Sequence, residues 1–295
     1  MPHRPDRIRR SVLYVPGSNA KALAKLGTLS CDAAIIDLED AVAPEEKAQA
    51  RETAARFFAE RPAGGPREVV LRVNALSSEW GADDLRAAIA CRPDGIVVPK
   101  VETPRDLLEV NDLLDEDDSL SPLWLWAMVE TPRAMLNLGA IAELGRDRGA
   151  RLACLVAGTN DLAKDTGVKI TPDRRYLAPW LSQMVLCARA AGIDVLDGVA
   201  NDFRDLDAFA RECDEAAAMG FDGKTLIHPA QIDPCNRAFS PAEEELARAR
   251  AVVDAFARPE NAGKGVLTVD GRMTERLHLD QAQRLIARAQ PAGSH

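Results

Sequence analysis

Apolar runs of five to seven residues recur along the chain, and the stretches between them carry apolar residues at helical spacing. The runs are SVLYV at 11–15, DAAIIDL at 32–38, EVVLRVN at 68–74, DGIVVPK at 94–100, LWLWAMV at 123–129, RLACLVA at 151–157, GIDVLD at 192–197 and KTLIH at 224–228. Most are apolar throughout and do not alternate, which predicts parallel strands covered on both faces. The Ala-, Leu- and Arg-rich segments between them, such as 44–60, 103–114 and 205–220, predict helices. Eight strand–helix units predict an α/β fold, a (βα)8 TIM barrel over residues 1–235, with a doubly wound open sheet as the alternative.

The pattern changes after about residue 236. Ser240 reads as a helix N-cap with Pro241 at the first helical position. Asp270–Gly271 predicts a hairpin turn, and a last helix is expected through about 275–290. Residues 236–295 are therefore expected to form a helical lid over the barrel mouth or over a neighbouring subunit.

Composition narrows the function classes. The formal net charge of -9 over 295 residues argues against general nucleic-acid binding, which needs a basic face. No apolar stretch approaches the roughly 20 residues of a membrane-spanning helix. No signal-peptide core follows the basic start MPHRPDRIRR, so a cytoplasmic location is expected. Cys31, Cys91, Cys154, Cys187, Cys213 and Cys235 form no CxxC pair and read as small buried hydrophobes of a reducing compartment. His3, His228, His278 and His295 lack metal-ligand spacing.

Two acids carry the candidate chemistry. Glu130 ends LWLWAMVE, and Asp161 lies just past LACLVAGTND. C-terminal strand ends converge on the active site of a parallel α/β fold, and two carboxylates there suit a hard cation such as Mg2+. Either acid alone reads equally as a helix N-cap. Glu39 and Asp40 in DLEDAV also end a strand, as acids that orient a lysine, a metal-bound water or a ligand. Lys100 reads as an ion-pair partner in the barrel mouth, and Arg72 alone as a strand-end arginine paired with a nearby acid.

SVLYVPGSN, IIDLEDAVAPEEKAQAR, LRVN, VVPKVE, VETPRAM, AGTNDLAKDTG, GFDGKTLIHPAQI and FSPAEEE occur in that order across almost the whole chain. In these motifs the chain resembles the citrate lyase beta-subunit-like branch of the HpcH/HpaI aldolase superfamily, the CoA-ester carbon–carbon lyases. The resemblance implies a TIM barrel with one Mg2+, held by Glu130 and Asp161, acting on β-hydroxyacyl-CoA thioesters. It implies that Arg72 contacts substrate and stabilises the thioester enolate oxygen. On this reading Glu130, Gly158 and Thr159 also bind substrate, the backbone N–H groups around Ala157, Gly158 and Thr159 holding a substrate carboxylate. CoA then needs cations: Lys21, Lys25, Lys47 and Arg51 are candidates, the capped start of the first helix at Ser18 and Asn19 is an anion site, and Ile227 and His228 lie within reach of the thioester arm.

The family's C-terminal Gly-x-Met-x-Asp carboxylate, which reaches a neighbouring subunit's site, is matched by Glu275 in GRMTERLH. The side chain is one methylene longer. The expected activity is Mg2+-dependent cleavage of a malyl-, citramalyl- or citryl-CoA-type thioester into an acyl-CoA and a 2-keto acid, in a homotrimer. The alternatives are a (3S)-malyl-CoA-type thioesterase on the same scaffold, or the beta subunit of a multi-protein citrate lyase acting on an acyl-carrier thioester.

Overall fold

Strand β1 (Ser11–Pro16) starts a closed parallel barrel whose remaining staves are β2 (Ala33–Asp37), β3 (Glu68–Arg72), β4 (Gly95–Val98), β5 (Trp124–Val129), β6 (Leu152–Ala157), β7 (Asp194–Asp197) and β8 (Gly223–Leu226). The computed structural model describes residues 7–116 and 123–289; His3, His295 and most of the basic start lie outside them. Each strand pairs with its successor, and Ser11 to Leu13 pair with Lys224 to Leu226 to close the ring. That closure excludes the open-sheet alternative.

The eight expected strands form within about two residues of their expected bounds. Alternate residues face the barrel interior, where Val12, Ile35, Val70, Val97, Trp126 and Val156 form one buried cluster. The strand N-termini are plugged by Arg9. It is buried, pairs with Glu68 at 2.6 Å and with Asp194, and lies 4.9 Å from the Trp126 ring centroid. Its charge is thus matched where water is excluded. A second buried network joins Lys224 to Asp197 at 2.6 Å and to Glu212 at 2.7 Å, with Arg174 also on Asp197 at 2.7 Å. The lysine of GKTLIHP therefore holds β7 to β8.

The chain divides into two compact units, Met1–Arg237 and Ala238–His295. The second contains helices Glu243–Ala257 and Arg276–Ala289 and an antiparallel hairpin, β9 (Val266–Val269) and β10 (Arg272–Glu275). Its small core contains Ala249, Val252 and Ala282. Asp270 (φ 49°) and Gly271 (φ 73°) take the two left-handed positions of the hairpin turn, as the sequence predicts. The helix start differs from expectation. Neither Ser240 nor Pro241 begins it; the helix opens at Glu243, and the Glu245 carboxylate accepts the Ala242 N–H at 3.2 Å. Three glutamates in the first turn favour the positive end of the helix dipole, so the later start is the better stabilised one.

Candidate active site

Glu130 follows β5 and is fully buried. It is not a helix cap. Thr131 takes that task, its Oγ1 accepting the Ala134 N–H at 3.1 Å, and Pro132 starts the helix. The glutamate is thereby left to the barrel interior. Its Oε1 accepts the Lys100 backbone N–H at 2.7 Å, while Oε2 is buried with no partner among the described residues. Lys100 adopts a left-handed φ of 50°, a strained conformation that turns its N–H to the carboxylate. Burial, and after it the Glu39 charge, push the Glu130 carboxyl up to about 7.

Asp161 is not a cap either. Gly158 is the N-cap of helix Thr159–Thr166, and Asp161 lies half-buried in its first turn. Val129 and Ala157 are partners across β5 and β6, so Glu130 and this helix start follow adjacent strand ends. Gly158 works differently from the carboxylate cradle expected of it. Its N–H donates to the Val129 carbonyl at 3.0 Å and is not available to a substrate. A Cβ there would lie 2.3 Å from the Glu130 Cβ and 2.9 Å from Oε2, so glycine makes room for the carboxylate. Thr159 is buried beside Gly198, whose added Cβ would meet its Oγ1 at 2.5 Å.

A buried orphan carboxylate oxygen, with a second carboxylate on the adjoining helix turn, fits a divalent cation with oxygen ligands. Glu130 and Asp161 would hold it. Among the described residues no group of three or more His, Cys, Asp or Glu gathers as a closed cage.

Arg72 ends β3 on the same inward face as Val70. Its Nε donates to Asp37 Oδ1 at 2.7 Å and Nη2 to Asp37 Oδ2 at 2.5 Å. Nη1 lies 2.9 Å from Glu39 Oε2, outside hydrogen-bond alignment, and 3.6 Å from Met128 Sδ. Burial disfavours the guanidinium charge, but Asp37 and then the other partners outweigh it, and Arg72 stays protonated. Glu39 Oε1 accepts from Lys100 Nζ at 2.7 Å, so Glu39 orients a lysine while Asp40 faces solvent. Acid and base thus run in one line: Asp37, Arg72, Glu39, Lys100 and Glu130.

Sequence reasoning passed over Asp37, Tyr14 and Asn74. The first two were open to discovery by period: Asp37 follows Ile35, and Tyr14 follows Val12, on the inward faces of their strands. Two cations proposed for CoA are structural instead. Lys47 is buried and donates to the carbonyls of Leu38 and Glu39 and to Asn74 Oδ1, which satisfies strand-end groups. Arg51 pairs with Asp84 at 2.9 Å. Lys21 and Lys25 lie exposed on helix Ala20–Lys25, and Asn19 caps it by accepting the Ala22 N–H at 3.0 Å. Ile227 is exposed; His228 stacks on Phe203 at 4.5 Å and accepts the Ala230 N–H. Glu275 belongs to the second unit, where its N–H donates to His278 Nδ1 at 2.9 Å.

Comparison with known proteins matches this frame. Residues 10–229 match the family model HpcH/HpaI aldolase/citrate lyase. The chain is 43% identical over 281 residues to a (3S)-malyl-CoA thioesterase of Cereibacter sphaeroides, covering 95% of this chain and 94% of the relative. It is 34% identical to the mitochondrial citramalyl-CoA lyase of Rattus norvegicus, covering 95% of this chain and 86% of the relative. A crystal structure of protein CitE from Mycobacterium tuberculosis, in complex with magnesium, acetoacetate and coenzyme A, superposes with a TM-score of 0.74 at 28% identity, covering 95% of this chain and 97% of that one. With a closed eightfold barrel, these motifs at its strand ends and relatives along nearly its whole length, the chain belongs to the HpcH/HpaI aldolase/citrate lyase family.

Proposed function

We propose that this enzyme is a Mg2+-dependent carbon–carbon lyase for a short β-hydroxyacyl-CoA of malyl or citramalyl type. The observation that carries the reading is the orphan Oε2 of buried Glu130, whose Oε1 is held by the backbone N–H of Lys100, the lysine that shares Glu39 with Arg72. Bound Mg2+ would act as a Lewis acid on the substrate's hydroxyl and carboxylate oxygens. Glu130 and Asp161 would hold the cation. Arg72, its Nε and Nη2 fixed on Asp37, presents Nη1 to the thioester oxygen. In cleavage the hydroxyl gives up its proton to solvent, the bond between the α- and β-carbons breaks, and its electron pair passes to the thioester as an enolate. The hydroxyl carbon becomes the keto-acid carbonyl, and a proton then returns to the α-carbon. Glu275, delivered from a neighbouring subunit of a trimer, is the candidate for that last transfer.

The 43% identity to a protein named as a (3S)-malyl-CoA thioesterase favours a second reading. There water adds to the thioester carbonyl and the carbon–sulfur bond breaks, releasing malate and CoA. Purified protein given (3S)-malyl-CoA, (3S)-citramalyl-CoA and (3S)-citryl-CoA separates the two. Keto acid formed in step with acyl-CoA supports the lyase. Free CoA without keto acid overturns it in favour of hydrolysis, and no turnover of any of the three overturns both.

A further inference from the structure

Tyr14 is a second residue of the barrel mouth with an unmet polar atom. It stands on the inward face of β1, in register with Ile35, and packs against the interior cluster. Its ring lies 5.0 Å from the Arg72 guanidinium carbon. The hydroxyl is buried and bonds to no described residue. An unpaired buried hydroxyl is destabilising, and phenylalanine would fill the same ring space without it. The charges of Arg72, Asp37, Glu130 and Glu39 all act on this hydroxyl, and burial holds it above the ordinary tyrosine range. It is therefore a neutral donor among charged groups.

Arg72 cannot supply the whole of the oxyanion site. Its fork is taken by Asp37, and Glu39 lies against Nη1, so two carboxylates already match its charge. A neutral donor beside it adds to stabilisation of a developing oxyanion without attracting a further counter-ion. We infer that the Tyr14 hydroxyl donates a hydrogen bond to the thioester carbonyl oxygen of the bound substrate, making Tyr14 a catalytic residue. This rests on the reading of the substrate as a CoA thioester. It does not depend on which bond breaks, because that oxygen gains negative charge in both cleavage and hydrolysis.

Tyr14→Phe tests it. Turnover of (3S)-malyl-CoA should fall about 10²-fold in kcat/KM, the scale of one lost oxyanion donor. Mg2+ affinity by calorimetry should stay within about twofold, and the ligand-free melting temperature should not fall. A loss of turnover below about threefold overturns the inference. So does a loss of Mg2+ affinity that accounts for the activity loss, since Tyr14 would then be an internal partner of Glu130. A readout free of turnover uses the two tyrosines, Tyr14 and Tyr176. In a Tyr176→Phe background, the ring Cζ resonance of Tyr14 should move on saturation with acetyl-CoA and Mg2+. An unmoved resonance overturns the inference. A moved resonance in an enzyme that turns over no hydroxyacyl thioester upholds the contact and overturns the proposed reaction instead.

Discussion

Glu130→Gln should stabilise the metal-free protein, and only above mildly acid pH. The carboxyl is fully buried, one oxygen has no partner, and its pKa stands at about 7 against an ordinary 4.5. At about 1.36 kcal/mol per unit, that difference amounts to about 3 kcal/mol. The folded protein holds the proton more tightly than the unfolded chain does. Stability linked to Glu130 is therefore fully present below about pH 4.5 and is lost as pH rises to about 7. Glutamine keeps the acceptor for the Lys100 N–H and has no charge to bury. Urea denaturation in EDTA at pH 4.5 and pH 8 should show the variant gaining on the parent by about 3 kcal/mol between the two. Taking the difference between the proteins cancels the other titrating groups. With Mg2+ at pH 8 the order should reverse, because only the parent has the charge to bind it. A stability difference independent of pH would refute the argument that Glu130 is a desolvated, unpaired carboxylate.

Arg72→Lys retains the charge and loses the fork on Asp37, so kcat/KM should fall by about 10²-fold or more; a loss below about threefold would make Arg72 purely structural. Gly158→Ala puts a Cβ 2.3 Å from that of Glu130 and should weaken Mg2+ binding by about tenfold or more, read by calorimetry. Glu275→Gln should abolish keto-acid formation without changing the mass of the assembly in light scattering. Full cleavage activity in that variant would mean that another group handles the proton.

The barrel was legible because its strands are buried on both faces and so read as unbroken apolar runs, such as VVL before Arg72 and LACLVA before Gly158. Glu130 and Asp161 were legible as acids at strand ends. What decides their roles lies in neighbours: Thr131 caps the helix and frees Glu130, while Lys100 reaches it from β4 across 30 positions of sequence. Lys47 read as a candidate cation for CoA because sequence does not show the strand-end carbonyls that converge on it. The Gly158 backbone was misjudged for a related reason, since its N–H is spent on β5. Ser240 and Pro241 made an ordinary start signal, but the acids at Glu243 to Glu245 lay further on and fixed the boundary.

The central claim is that Glu130 and Asp161 hold one divalent cation on which turnover depends. Calorimetric titration of Mg2+ into EDTA-stripped parent, Glu130→Gln and Asp161→Asn proteins tests it most directly. The parent should bind one Mg2+ per chain, with affinity rising as pH approaches about 7 and levelling above it. Both variants should lose that site while unfolding cooperatively. Parent-like Mg2+ binding in either variant would contradict the account.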